Sequence, residues 1–333
     1  MTDLEKTKHY TTEGSMICGN LVKYIPDDAV LIEPFVGDGD LLELFPNRQW
    51  ETYDIEDKGL NVVQNTLVNP PDYRGKWVIT NPPYLAQNKA TDKEVFALYG
   101  VDDLYKATLK SIMDCEGGIL IIPTNFFTDE RTGVIRKEFL SRFEVKECNI
   151  FTQPVFKTTT YSVCSFAFKR SNKPLSQQNF VCNVKPAGNQ IQVKISATYD
   201  YRIGGEFYSK LKAIKPVVFN RLIGEKSESF ITHITLYAID TRSARIHVAY
   251  EEKPFCGGVS DRTYATFVCN YQLSDAQQHY LIEQFNKELN EFRDAYGDLS
   301  LTNYRDYNRK RIGFTFAYQL MTKIYKEMPK DLL

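Results

Sequence analysis

The sequence lacks any run approaching the roughly 18 apolar residues that a membrane span needs. Its first 14 residues, MTDLEKTKHYTTEG, are polar and hold no apolar stretch of the kind a secretory signal requires. Neither a membrane protein nor a secreted one is expected. Cysteine is sparse, with seven residues at 18, 115, 148, 164, 182, 256 and 269 and no Cys-x-x-Cys pair. An odd, scattered set excludes a disulfide framework and a zinc site, and fits reduced thiols in the cytoplasm. The four histidines, His9, His233, His247 and His279, show no ligand spacing, so no metal is expected. No internal repeat and no low-complexity segment occurs. Net charge is also nearly absent, at −1, but unevenly divided. Residues 1–170 hold 19 basic and 25 acidic side chains, and residues 171–333 hold 22 and 17. An acidic half joined to a basic half fits a catalytic domain followed by one that binds a polyanion.

What is present is ordinary globular material, 43% hydrophobic and 25% charged over 333 residues, enough for two domains. The first half alternates short apolar runs with helical patterns, as an α/β sheet does. Strands are expected at 29–35 (AVLIEPF), 51–55, 76–80 (KWVIT), 118–123 (GILIIP) and 161–169, the last at an edge or late in the sheet. Helices are expected at 41–45, 95–113 and 131–143, the last with Val134, Ile135, Phe139 and Leu140 inward. Residues 171–186 read as a polar, proline-marked linker. The boundaries are therefore 1–172 and 173–333. The second part reads as an α+β unit, with strands at 234–239, 245–250 and 264–270 and a helix from the cap Ser274 to about Gly297.

Three motifs carry chemistry. Asn81-Pro82-Pro83-Tyr84 ends a buried strand, and average composition gives a chance match of about one in a thousand for this length. In open α/β sheets the ligand crevice lies at the carboxyl ends of strands, where this tetrapeptide falls. Glu33-Pro34-Phe35-Val36-Gly37-Asp38-Gly39-Asp40 leads a strand into a glycine turn that lets backbone approach a ligand closely. No third glycine completes a dinucleotide fingerprint, and Asp38 and Asp40 would repel pyrophosphate. A cofactor with a cationic centre suits this loop better. Asp54 ends the next strand 17 residues after Gly37, close to the offset at which an acid meets ribose hydroxyls.

Together these elements resemble the amino-methylating DNA methyltransferases, specifically the adenine-N6 group with cofactor motifs first and the target-recognition domain last. The resemblance covers about residues 8–170. Asn81 through Tyr84 match the family's catalytic motif, Glu33, Pro34, Phe35 and Gly37 its cofactor loop, and Asp54 with Ile55 its ribose-binding strand end. Tyr10-Thr11 looks like the segment that holds the methionine end of the cofactor, although Thr12 stands where the family has proline. Asn65, followed by Thr66, stands where the family has an Asp contacting the cofactor adenine. The strand 118–123, Asn125-Phe126-Phe127 and Arg136 also fit. Val155-Phe156 looks like the late motif whose aromatic stacks on the target base.

The resemblance implies a Rossmann-like α/β fold with a mostly parallel sheet and helices on both faces. It implies S-adenosylmethionine as cofactor, S-adenosylhomocysteine as product, and double-stranded DNA as partner. The activity implied is that of a type II modification enzyme whose cognate restriction endonuclease acts separately. An exocyclic amine is a poor nucleophile, and two acceptors on its hydrogens, the Asn81 side-chain oxygen and the Pro82 carbonyl, would aim its lone pair. No Pro-Cys pair of the carbon-5 cytosine type occurs. The target base must be extruded, with Tyr84 and Phe156 offered as its stacking partners. In the second half, Arg309, Lys310 and Arg311 follow Tyr304 and Tyr307 as a basic-aromatic cluster suited to phosphates. The glycine-opened loop after Cys256, with Arg262 and Tyr264, is the other candidate DNA contact. Methylation of protein glutamine or structured RNA, and a dead methylase scaffold that only binds DNA, remain as alternatives.

Overall fold

A computed structural model describes residue 3 and residues 14–156, 161–224, 227–303 and 308–332. Contacts divide the chain into two compact units, one running to Arg202 with Asn308 also assigned to it, the other made of most of the chain from Ile203 onward. The first unit is built on nine strands: β1 (Val30–Glu33), β2 (Trp50–Asp54), β3 (Val62–Val63), β4 (Lys76–Thr80), β5 (Gly117–Pro123), β6 (Phe143–Phe151), β7 (Val163–Arg170), β8 (Gln177–Lys185) and β9 (Asn189–Ser196). Their order in the sheet is β3-β2-β1-β4-β5-β7-β6-β8-β9. Strands β3, β2, β1, β4 and β5 run parallel to one another, as do β6 and β8, and the antiparallel β7 lies between β5 and β6.

The order reverses at β1, so the carboxyl ends of β1 and β4 sit side by side at a topological switch point. All but the last residue of β5, and all but the first of β4, are buried, so both faces of the central sheet are covered. This is the α/β class expected from the sequence. Among the described residues the α-helices of this unit include α1 (Gly14–Cys18), α2 (Glu94–Tyr99), α3 (Leu104–Ser111), α4 (Asn125–Thr128) and α5 (Gly133–Leu140).

Several details differ from the sequence reading. The expected helix over 95–113 is two helices, because Gly100 takes a left-handed conformation (φ 61°) that ends α2. The turn after Gly39 holds only a 3₁₀ segment, Leu42–Leu44. Val134 on α5 is exposed, while Ile135, Phe139 and Leu140 are buried as expected. β7 is interior, paired on both sides. The expected linker at 171–186 instead contains all of β8, and the β8–β9 hairpin extends the sheet beyond β6. The first compact unit thus runs on to Arg202 and includes this hairpin.

The second unit pairs β10 (Phe219–Arg221), β11 (Phe230–Tyr237), β12 (His247–Tyr250) and β13 (Tyr264–Cys269) as an antiparallel sheet ordered β10-β13-β11-β12. Helices α6 (Gly205–Lys212), α7 (Asp275–Asp294) and α8 (Phe314–Lys326) accompany it, with a short pair β14 (Thr302–Asn303) and β15 (Lys310–Arg311). Its core joins Ile234, Leu236 and Phe267 of the sheet to Leu281, Phe285 and Leu320 of α7 and α8. Ser274 caps α7 in a reciprocal arrangement with Gln277, which is why the sequence marked that start. Among the described residues no helix is long and apolar enough to cross a membrane, and no cluster of His, Cys, Asp and Glu could hold a metal.

Candidate active site

The carboxyl ends of β1, β2 and β4 converge on one cavity of about 260 Å³. Its wall includes Phe35, Gly37, Asp54, Ile55, Asn65, Thr66, Asn81 and Pro83, residues drawn from all three sequence motifs. Gly37 (φ 54°) and Gly39 (φ 89°) adopt the left-handed conformations that turn the chain sharply off β1. Asp54 fixes that turn. Its Oδ2 accepts the Gly37 N–H at 3.0 Å and its Oδ1 accepts the Glu56 N–H at 2.9 Å. Each carboxylate oxygen has two lone pairs, so both retain capacity towards a ligand hydroxyl.

Asn65 and Thr66 stand beside this turn in different roles. The Asn65 Oδ1 accepts the Leu67 N–H at 3.2 Å, closing a local turn. The buried Thr66 hydroxyl donates to the Pro34 carbonyl at 3.0 Å and so ties this segment to the cofactor-type loop. Glu33 lies beneath the loop and is absent from the cavity wall. Its Oε1 accepts the Thr80 hydroxyl at 2.5 Å and the Phe35 N–H at 3.1 Å, which locks β1 to β4 immediately before Asn81. Burial raises the Glu33 carboxyl from 4.5 to about 8. Thr11, Tyr10 and Thr12 lie outside the described residues.

Among the described residues, the charged ones on the wall are Asp3, Asp38, Asp40, Asp54, Glu56 and Asp92, with the Lys58 ammonium 3.1 Å from Glu56 and 3.8 Å from Asp38. Burial and the neighbouring Asp38 and Glu43 raise the Asp40 carboxyl above the ordinary range. Such a wall opposes a phosphate and favours a cationic group. Leu85, Ala90, Val95, Phe96 and Leu104 add an apolar part to the wall, with Leu85, Ala90, Phe96 and Leu104 packed together. Sequence reasoning missed this part, since helical spacing assigned residues 95–113 to one core-facing helix. Asp3 was also missed. Its carboxylate accepts the N–H groups of Thr91 (2.5 Å) and Asp92 (2.9 Å), within the segment that carries Ala90.

Tyr84 is 3% exposed, and its hydroxyl lies 2.5 Å from Asn81 Oδ1 and 2.6 Å from the Ile121 carbonyl. Burial raises the pKa of that hydroxyl well above its usual value, so it stays a donor. Phe156 is 4% exposed, with its ring centre 6.4 Å from that of Tyr84 and tilted by 52°. Two rings that sandwich a base stand parallel at about 7–8 Å. The stacking slot expected between Tyr84 and Phe156 is therefore not open here, because both rings pack into the interior. Phe126 and Phe127 are core residues, and Arg136 is a buried strut on the carbonyls of Phe126, Asp129 and Asp200.

In the second unit Arg262 is exposed and Tyr264 is 42% exposed. Arg309 and Arg311 are half-buried, and Tyr304 and Tyr307 lie outside the described residues. Lys310 corrects the expected phosphate-binding cluster. It is 4% exposed and its ammonium donates to Asn303 Oδ1, so it faces the interior.

No family model and no curated protein matches this sequence. Comparison with solved structures gives partial alignments. A modification subunit assigned to a type I restriction enzyme from Vibrio vulnificus aligns with TM-score 0.44 and 14% identity, over 63% of this chain and 54% of that one. The type IIG restriction endonuclease BpuSI aligns with TM-score 0.43 and 14% identity, over 65% and 36%. A type I restriction-modification methyltransferase subunit from Streptococcus thermophilus aligns with TM-score 0.41 and 13% identity, over 53% and 47%. This chain thus spans about half the length, or less, of these proteins.

Proposed function

We propose that this chain is an S-adenosylmethionine-dependent DNA methyltransferase acting on the N6 amine of adenine in duplex DNA. The observation that carries this reading is the cavity that joins the glycine turn to Asn81, whose described lining holds six acidic side chains, two of them beside Lys58. That donor set fits a ligand with ribose hydroxyls, an amino group and a sulfonium, and it disfavours a nucleotide phosphate. When bound, the cofactor supplies an electrophilic methyl group. Asp54 would receive the ribose hydroxyls, and Ile55, half-exposed on the wall, would lie against the adenine ring. Asn65 would accept from the adenine amine, and Thr11 would hold the methionine end.

Asn81 would accept one hydrogen of the target amine and the Pro82 carbonyl the other, which turns the nitrogen lone pair towards the cavity. Pro83 makes the turn rigid. The Asn81 oxygen now faces the Tyr84 hydroxyl, so an arriving amine takes over an acceptor already in use. Stacking on Tyr84 and Phe156 would require the two rings to part as the base leaves the duplex. Residues 1–172 would carry cofactor and catalysis and the remainder the DNA contacts, through Arg262, Tyr264, Arg309 and Arg311. The biological role proposed is protection of host DNA from a separately acting restriction nuclease.

The test is transfer of a labelled methyl group to duplex DNA, followed by base analysis. N6-methyladenine should form, and Asn81→Ala should lose transfer by two orders of magnitude or more while calorimetry finds cofactor binding retained. Asp54→Ala should instead weaken cofactor binding. Label accumulating only in RNA or in protein glutamine, or binding of DNA with no transfer, would overturn the reading in favour of the alternatives.

A further inference from the structure

The loop between β12 and β13 is irregular, yet it is tied down from several sides. Arg221, at the end of β10, donates through Nη2 to the Val259 carbonyl at 2.8 Å and through Nη1 to the Asp261 carbonyl. Its guanidinium lies 4.7 Å from the centre of the Phe314 ring at the start of α8. Within the loop the Gly258 N–H donates to Asp261 Oδ2 at 2.7 Å and the Asp261 N–H returns to the Gly258 carbonyl at 3.1 Å. The Gly224 N–H holds the Gly257 carbonyl at 3.2 Å. Asp261, the acid within residues 257–262, is thereby turned onto the loop's own backbone.

What this frame presents outward is Val259, 76% exposed, with the exposed side chains of Ser260 and Arg262. A solvated loop has no need of a guanidinium clamp, and a tip held in advance avoids an ordering cost on binding. Methyl groups, a hydroxyl and a guanidinium on one rigid tip complement base edges in a major groove. The thymine methyl is the apolar feature there, and RNA helices close that groove to side chains.

We propose that residues 257–262 form the element that reads base edges in duplex DNA, with Arg262 on a guanine and Val259 against a thymine methyl, and that Arg221 is its positioning residue. This rests on the DNA-methyltransferase reading for its partner but not for its test, which involves no methyl transfer. Duplexes are selected by binding to the purified full chain from a randomised pool, and the selected site is then altered one base at a time. Replacing one guanine by 7-deazaguanine should weaken binding about tenfold, and replacing one thymine by uracil severalfold. Arg262→Ala should weaken the unaltered site by the same tenfold and become indifferent to 7-deazaguanine. Val259→Ala should become indifferent to uracil in the same way. Arg221→Met, checked for folding by circular dichroism, should blunt both sensitivities together. No selected site, or Arg262→Ala and Val259→Ala variants that keep the full sensitivity of the unaltered chain, would overturn the proposal. A selected site with these sensitivities and no methyl transfer would overturn the enzymatic reading alone.

Discussion

Glu33 and Asp54 close adjacent strands and differ by one methylene, but their surroundings set them apart. Asp54 stands on the cavity wall, with each oxygen receiving one backbone N–H. Glu33 is fully buried; one oxygen holds Thr80 and Phe35 and the other has no hydrogen-bond partner among the described residues. Desolvation therefore dominates and the Glu33 carboxyl titrates near 8, above its value of 4.5 in an unfolded chain. Between those limits the folded chain keeps a proton that the unfolded chain has lost. Its contribution to stability accordingly falls as pH rises, by up to about 1.4 kcal/mol per pH unit. Glu33→Gln removes the titration while keeping an acceptor for Thr80. Urea unfolding at several pH values between 5 and 8 should find a flatter dependence in this variant than in the unaltered chain. An identical slope in both would place the Glu33 proton elsewhere.

At the scale of the element, the position of Asn81 depends on how tightly β4 and β5 pair. Gly118 has φ 155°, and a Cβ added there would lie 1.8 Å from the Val78 carbonyl oxygen on β4. Backbone cannot yield that distance cheaply, so Gly118→Ala should force β5 away from β4 and lower the melting temperature by well over several degrees. A near-native melt followed by circular dichroism would contradict this packing. β4 and β5 were legible in the sequence because strands buried on both faces read as unbroken apolar runs. The hairpin β8–β9 was not, because alternate residues of QQNFVCNVK face out and Gln178 is one of the inward ones. That glutamine is satisfied only by the carbonyls of Leu140 and Phe143 and the Val145 N–H, more than thirty residues earlier. Likewise the site's glycine turn and Asn-Pro-Pro-Tyr are contiguous and visible, whereas its apolar wall comes from a segment folded back over the motif.

Over the whole molecule, the charge asymmetry of the two halves leaves open which cations would meet DNA under the proposed function, and burial decides one of them. Lys310 sits in the interior of the second unit beside the buried Arg293, which pairs bidentately with Asp240 (2.8 and 2.8 Å) and with Asp298 (2.5 Å). Desolvation lowers the Lys310 ammonium from 10.5 to about 8, against the pull of Asp298 and Asp240. The unfolded chain then holds the extra proton between pH 8 and 10.5, so this group's contribution to stability rises with pH across that window. Lys310→Met should abolish that rise without touching DNA affinity. Arg309→Gln with Arg311→Gln should act the other way. If both arginines meet phosphates, the slope of log affinity against log salt should become shallower by about two, since each phosphate contact contributes about 0.9. Fluorescence anisotropy with a fixed duplex from 50 to 300 mM salt separates the cases. A shallower slope in Lys310→Met would bring that side chain out to the DNA. An unchanged slope in the double arginine variant would leave the loop at 257–262 as the second unit's contact with the duplex.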